Sequence, residues 1–173
     1  MLIIWDLKNM NNDPRSQSDE AFLADCRVET YRGPGPGGQK RNKTSSAVRI
    51  THLPTSLQAT ATELRSQPMN RSMALRRLRL RVAIEVRQPV DVASIEMPAW
   101  FTLDVSDRNE LYPQVVGLVL DVLAANDWAT APTKDVLKVG SSQLTKFLHG
   151  DPSVWAAVNR ERGLRNLRPL TAN

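Results

Sequence analysis

The chain has 173 residues, 41% of them hydrophobic and 24% charged, a globular composition the size of one ordinary domain or two small ones. No apolar run approaches the roughly 20 residues that cross a bilayer, and a single cysteine, Cys26, rules out an internal disulfide and a Cys-based zinc site. The net charge of +5 is unevenly placed: 27–87 holds 13 basic residues against three acidic, while 91–151 holds four against nine, so a module with the footprint of a polyanion binder precedes an acidic one.

In chain order, the N-terminus puts its apolar residues before its first charge, unlike the basic-then-apolar order of a signal peptide. Asn11, Asn12, Asp13 and Pro14 then read as turn formers, and residues 1–20 are expected to be a mobile leader. Alternation of apolar and charged residues predicts a strand over Cys26–Arg32. Two further strands, Ala47–His52 and Ser56–Thr62, flank Leu53-Pro54-Thr55 and should form a hairpin. Pro68 suits the first turn of a helix over Met69–Glu85, with Met73, Ala74, Leu75, Leu78 and Val82 on an apolar face. Arg71, Arg76, Arg77, Arg79 and Arg81 cover much of the remainder and are expected to grip RNA backbone.

Residues 89–104, with Pro89 and Pro98, read as a linker. Tyr112–Ala125 is apolar nearly all round, as a buried central helix is. Shorter helices fit Thr133–Lys138, Ser142–His149 and Pro152–Arg162, with Ser141 and Asp151 as N-caps. Val139-Gly140 between two of these gives 134–150 the outline of a helix-turn-helix with Gln143, Lys146 and His149 facing a groove, although the acidity of the region weighs against DNA. Trp100, Trp128 and Trp155 are expected to anchor this module, and Arg160, Arg162, Arg165 and Arg168 make its end a short basic tail.

The chemistry concentrates in Gly33-Pro34-Gly35-Pro36-Gly37-Gly38-Gln39. Prolines stiffen such a loop, and glycines permit positive φ and close backbone approach to a ligand. Gln39 follows two residues without side chains, so its carboxamide and backbone N–H are both available. Lys40, Arg41 and Lys43 add the charge that holds phosphate oxygens. The spacing lacks the Lys-Ser/Thr ending of a P-loop and is not a dinucleotide fingerprint.

Gly35-Pro36-Gly37-Gly38-Gln39, Asn42-Lys43-Thr44, the run Ser46–Thr55 and Arg65-Ser66-Gln67 strongly resemble the catalytic domain of class-I bacterial and organellar peptide chain release factors, over about residues 22–85. The resemblance implies hydrolysis of the ester joining a nascent peptide to tRNA, in the ribosomal peptidyl transferase centre. It assigns the chemistry to Gly37, Gly38 and Gln39 and makes Gln39 a candidate for N5-methylation. Lys40, Arg41, Asn42, Lys43, Ser46, Arg49 and Arg65 would position the loop and contact RNA. Pro34 stands where the family usually has Ser, and Lys40-Arg41 where it has His-Val; the Gly-Gly-Gln core is intact.

The remaining 80 or so residues do not resemble codon-reading motifs, so the sequence is closest to the short, codon-independent factors that free stalled ribosomes. The expectation is an α+β domain over 21–88, a small mixed sheet with one packed long helix, then an all-α accessory module over 105–173. The partners implied are the ribosome, through large-subunit rRNA, and peptidyl-tRNA, for a cytoplasmic monomer with no membrane partner, cofactor or metal. The competing class is a non-catalytic ribosome- or RNA-binding protein, or a helix-turn-helix nucleic-acid binder, that keeps the release-factor fold.

Overall fold

The computed structural model describes residues 3–4, 13–32 and 46–171. The chain divides into two compact units, Asn11–Val82 and Ala83–Asn173 with Met1–Met10. Among the described residues no helix is long and apolar enough to cross a membrane.

β1 (Ile3–Ile4) belongs to the second unit. In the first unit, α1 (Asp19–Ala24) leads into β2 (Cys26–Tyr31), β3 (Ala47–His52) and β4 (Leu57–Ala61), and α2 (Gln67–Glu85) follows. The sheet order is β2-β3-β4, antiparallel throughout. The mixed character expected of it is absent because the short turn after His52 forces β4 back along β3. Period-two alternation puts Val28, Thr30, Val48, Ile50, Ala59 and Ala61 on one face. Val48, Ile50 and Ala61 are buried there, as are Ala74, Leu75, Leu78 and Val82 of α2.

Residues 13–18, expected in a mobile leader, are folded. Asp13 chelates the Arg15 guanidinium through both carboxylate oxygens, and Arg15 is 6% exposed. Ser18 caps α1 by accepting from the Ala21 N–H at 3.2 Å. The first unit thus begins before the residue at which the sequence pattern becomes periodic.

In the second unit β1 pairs in parallel with β5 (Val86–Arg87), a two-residue ladder separate from the sheet. α3 (Tyr112–Ala125) is buried along most of its length. α4 (Thr130–Leu137), α5 (Ser141–His149) and α6 (Pro152–Leu164) follow, α3 packing on α4, α4 on α5 and α5 on α6. α4 starts three residues earlier than the pattern suggests, because Pro132 falls in its first turn, where a missing N–H costs nothing. α5 has Gly140 rather than Ser141 at its N-cap and no side-chain cap, whereas Asp151 accepts from the Ser153 and Val154 N–H groups to cap α6. Trp128 is fully buried, Trp155 lies edge-on to His149, and Trp100, in the connector, is 39% exposed.

The one charged side chain inside α3, Asp121, is 2% exposed and accepts from Arg87 Nη1 at 2.8 Å. It also accepts the Gln88 N–H at 3.0 Å, and Arg87 further donates to the Gly117 and Ala83 carbonyls. Such additional hydrogen bonds offset part of the cost of taking the two charges out of water.

Candidate functional site

Tyr31 and Ala47 are cross-strand partners at the end of the β2–β3 ladder. The Gly-rich segment therefore leaves the sheet and returns to it at adjacent strand ends. Gly37, Gly38, Gln39, Lys40, Arg41, Asn42 and Lys43 lie outside the described residues. What the structure gives is the base that carries them.

That base is clamped by Asn70, a residue with no exposed surface in the first turn of α2. Its amide donates to the Ser46 carbonyl at 2.7 Å and to the Leu64 carbonyl at 2.8 Å, and its carbonyl oxygen accepts the Leu64 N–H at 3.0 Å. One side chain thus ties the return limb of the loop to the bend that carries Arg65 and to the helix. Ser46 and Arg65, named as RNA contacts from sequence, are brought to one neighbourhood by this clamp. Sequence reasoning passed over Asn70; the only signal was a carboxamide three residues after Gln67, where a helix first turn rarely buries one without partners.

Arg49 stands elsewhere. It is exposed on β3, on the sheet face opposite Val48 and Ile50, with its guanidinium 5.2 Å from the Tyr31 ring centroid. Tyr31 is the last residue of β2 before the loop, so this stack sits at the root of the outgoing limb.

The arginines of α2 are not one RNA-binding surface, and that expectation is corrected. Arg79 is 9% exposed; it pairs with Asp19 at 2.8 Å, donates to the Gln17 carbonyl and lies over the Phe22 ring. Arg77 and Arg81 donate to the Thr60 and Gln58 carbonyls at 2.8 Å each, covering the outer edge of β4, and Arg77 also pairs with Glu63. An edge strand left bare is a template for unwanted pairing, and this cover removes it. Among the described residues Arg71 and Arg76 carry no such bond and remain exposed. The Glu63 carboxyl is held below its ordinary range by the Thr62 N–H and then by Arg77.

His52 is a core residue rather than half of a hydrolase pair. It is 1% exposed, stacked on Phe22 with ring centroids 4.9 Å apart, and its Nδ1 is 2.8 Å from Thr55 Oγ1. Burial lowers its pKa below 6.5, opposed by the Asp25 carboxylate. Cys26 is equally unsuited to nucleophilic work: burial, with help from Asp25, pushes its thiol up to about 11.

A notch of about 320 Å³ lies between the sheet and the start of α2, lined by Val28, Thr30, Val48, Gln67, Pro68 and Arg71. It adjoins the strand ends from which the loop springs.

Residues 20–97 match the RF-1 domain family. The chain carries an RF-1 domain. This is a class-I release-factor catalytic domain, and the Gly37-Gly38-Gln39 tripeptide falls inside it. The chain is 48% identical over 73 residues to peptide chain release factor 1 of Caulobacter vibrioides, covering 42% of this chain and 20% of that protein. It is 42% identical over 90 residues to peptide chain release factor 1 of Kineococcus radiotolerans, and 39% over 90 residues to that of Clavibacter michiganensis; each covers 51% of this chain and 25% of the relative. The chain therefore spans a fifth to a quarter of the length of these relatives. The RF-1 domain includes the sheet, α1, α2, β5 and the start of the connector, and α3–α6 follow it.

Proposed function

We propose that this protein hydrolyses the peptidyl-tRNA ester in the peptidyl transferase centre of cytoplasmic ribosomes, releasing the nascent peptide. The observation that carries the reading is the RF-1 match over 20–97 with the Gly-Gly-Gln tripeptide intact within it. Ester hydrolysis needs a placed water and a donor for the developing oxyanion. A glutamine carboxamide does not titrate near neutrality, so Gln39 is not a general base. Its backbone N–H supplies the oxyanion donor, worth about 3 kcal/mol in a water-excluded site, and its side chain selects the attacking water. Proton handling falls to RNA, chiefly a tRNA ribose hydroxyl, so free peptidyl-tRNA is a poor substrate.

Lys40, Arg41, Asn42, Lys43, Ser46, Arg49 and Arg65 contact rRNA and tRNA backbone in this proposal, and Gln39 is the modification site. The domain division follows: 21–88 for catalysis, 89–104 as connector, 105–173 as accessory helices. Release in this proposal is codon-independent, as in the rescue of stalled ribosomes.

The test is peptide release from ribosomal complexes with a stop codon, a sense codon or no codon in the decoding site. The protein is expected to release peptide in all three, while Gln39→Ala and Gly37→Ala variants fail. Inactivity of the unsubstituted protein in every complex would instead mark a ribosome-binding protein without chemistry. Release confined to stop codons would overturn the rescue reading alone.

A further inference from the structure

We propose that α4 and α5 form a helix-turn-helix that docks in the major groove of duplex DNA, a binding activity separate from peptide release. α4 (eight residues) and α5 (nine residues) pack together across a three-residue turn, 138–140. The turn is made by Lys138 in the left-handed conformation, φ 56° and ψ 44°, with the Val139 N–H donating to the Lys134 carbonyl at 2.9 Å. α3 and α6 brace the pair, which buries Leu137, Leu144 and Leu148. A helix pair joined by so short a turn can present the N-terminal side chains of its second helix to base edges while the first crosses the backbone.

The outward face of α5 is polar. Ser142, Gln143 and Lys146 are exposed and hold no hydrogen bond or ion pair among the described residues. A carboxamide reads adenine, and a hydroxyl contacts several base edges.

The acidity that argues against DNA in the linear sequence lies elsewhere. Residues 91–121 contain six acidic groups and one basic, a net of −5, whereas 127–171 contain four acidic and seven basic, a net of +3. Two of the four acidic groups of that second stretch cancel against a neighbouring basic residue. Asp135 pairs with Lys134, Asp151 caps α6, and Glu161 is 5% exposed and bonded to Arg165. Lys138 and Lys146 are left exposed on the turn and on α5, where they complement phosphate. The groove that admits such a helix belongs to B-form DNA; the A-form RNA major groove is too deep and narrow.

The experiment selects binders to the full-length protein from a library of randomised DNA duplexes at physiological salt, beside a matching library of RNA duplexes. Non-specific contacts through the basic first unit would retain every duplex alike, so the readout is sequence enrichment rather than retention. Enrichment of a short shared motif is expected in the DNA arm only, and Gln143→Ala should reduce preference for it by about tenfold. Lys138→Gly and Lys146→Ala should each lower the salt slope of binding to the selected duplex by about one. Lys138→Gly relieves a positive φ, so misfolding does not account for its weaker binding. No enriched motif, a motif only among RNA duplexes, or a DNA motif indifferent to all three substitutions would each overturn the proposal.

Discussion

The Asn70 side chain donates to the Ser46 backbone at 2.7 Å, across 24 residues of sequence. Ser46 is the first described residue after the Gly-Gly-Gln tripeptide, so this bond fixes where the return limb of the loop meets the sheet. Asn70 satisfies three backbone groups from a fully buried position, which makes its exact chemistry indispensable.

Asn70→Ala is expected to cost about 3 kcal/mol, since three bonds of about 1 kcal/mol each are lost and their partners stay buried. Asn70→Asp should do no better, because a carboxylate cannot donate to two carbonyls. Urea denaturation reads the stability. Equal stability of Asn70→Ala and the unsubstituted protein would remove the clamp from the account.

His52 gives stability a pH dependence with a definite sign. Its folded pKa lies below the ordinary 6.5 because burial disfavours the charged ring. The unfolded chain therefore binds the proton first. The stabilising contribution is complete above pH 6.5 and is lost as pH falls through the folded value. Denaturation midpoints should decline on acidification from about 6.5, and a His52→Phe variant should lack that part of the decline.

The Arg87–Asp121 pair is expected to behave as a unit. Removing one charge, as in Asp121→Ala, strands the other in the core and should cost about 3–5 kcal/mol. The double variant Arg87→Met with Asp121→Leu should recover much of the loss, because neither charge then needs a partner. Thermal denaturation of Arg87→Met, Asp121→Leu and their double variant forms the cycle, and simple additivity of the single losses would contradict the coupling.

Asp127 and Trp128 both have positive φ, 51° and 62°, where α3 ends. Asp127 is exposed, so Asp127→Gly removes backbone strain without emptying the core. A gain of about 0.5–1 kcal/mol is expected, read as a higher Tm. Trp128→Gly should be strongly destabilising instead, since it deletes a fully buried indole.

Much of the fold was legible in the order of residues. β2, β3, β4, the long second helix and Tyr112–Ala125 follow from alternation and helical periodicity, because each repeats its signal over at least five residues. α1 has six residues and β1 and β5 two each, too few for periodicity to register. The Gly-Gly-Gln tripeptide was legible because its motif is local, and it falls inside the RF-1 match. The role of Asn70 was not, because its partners lie 6 and 24 residues away.

The amino-acid order by itself determined the proposed class of chemistry, through Gly37-Gly38-Gln39 and the motifs that follow it, since such a motif is a contiguous segment of sequence. Tertiary structure alone decided how the charges are used. Arg77, Arg79 and Arg81 look alike on paper, yet two seal a sheet edge and one is buried against Asp19 and Phe22. Asp121 looks like a polar interruption, yet it anchors Arg87. A charge's effect depends on its neighbours and its exposure to water, and folding sets both.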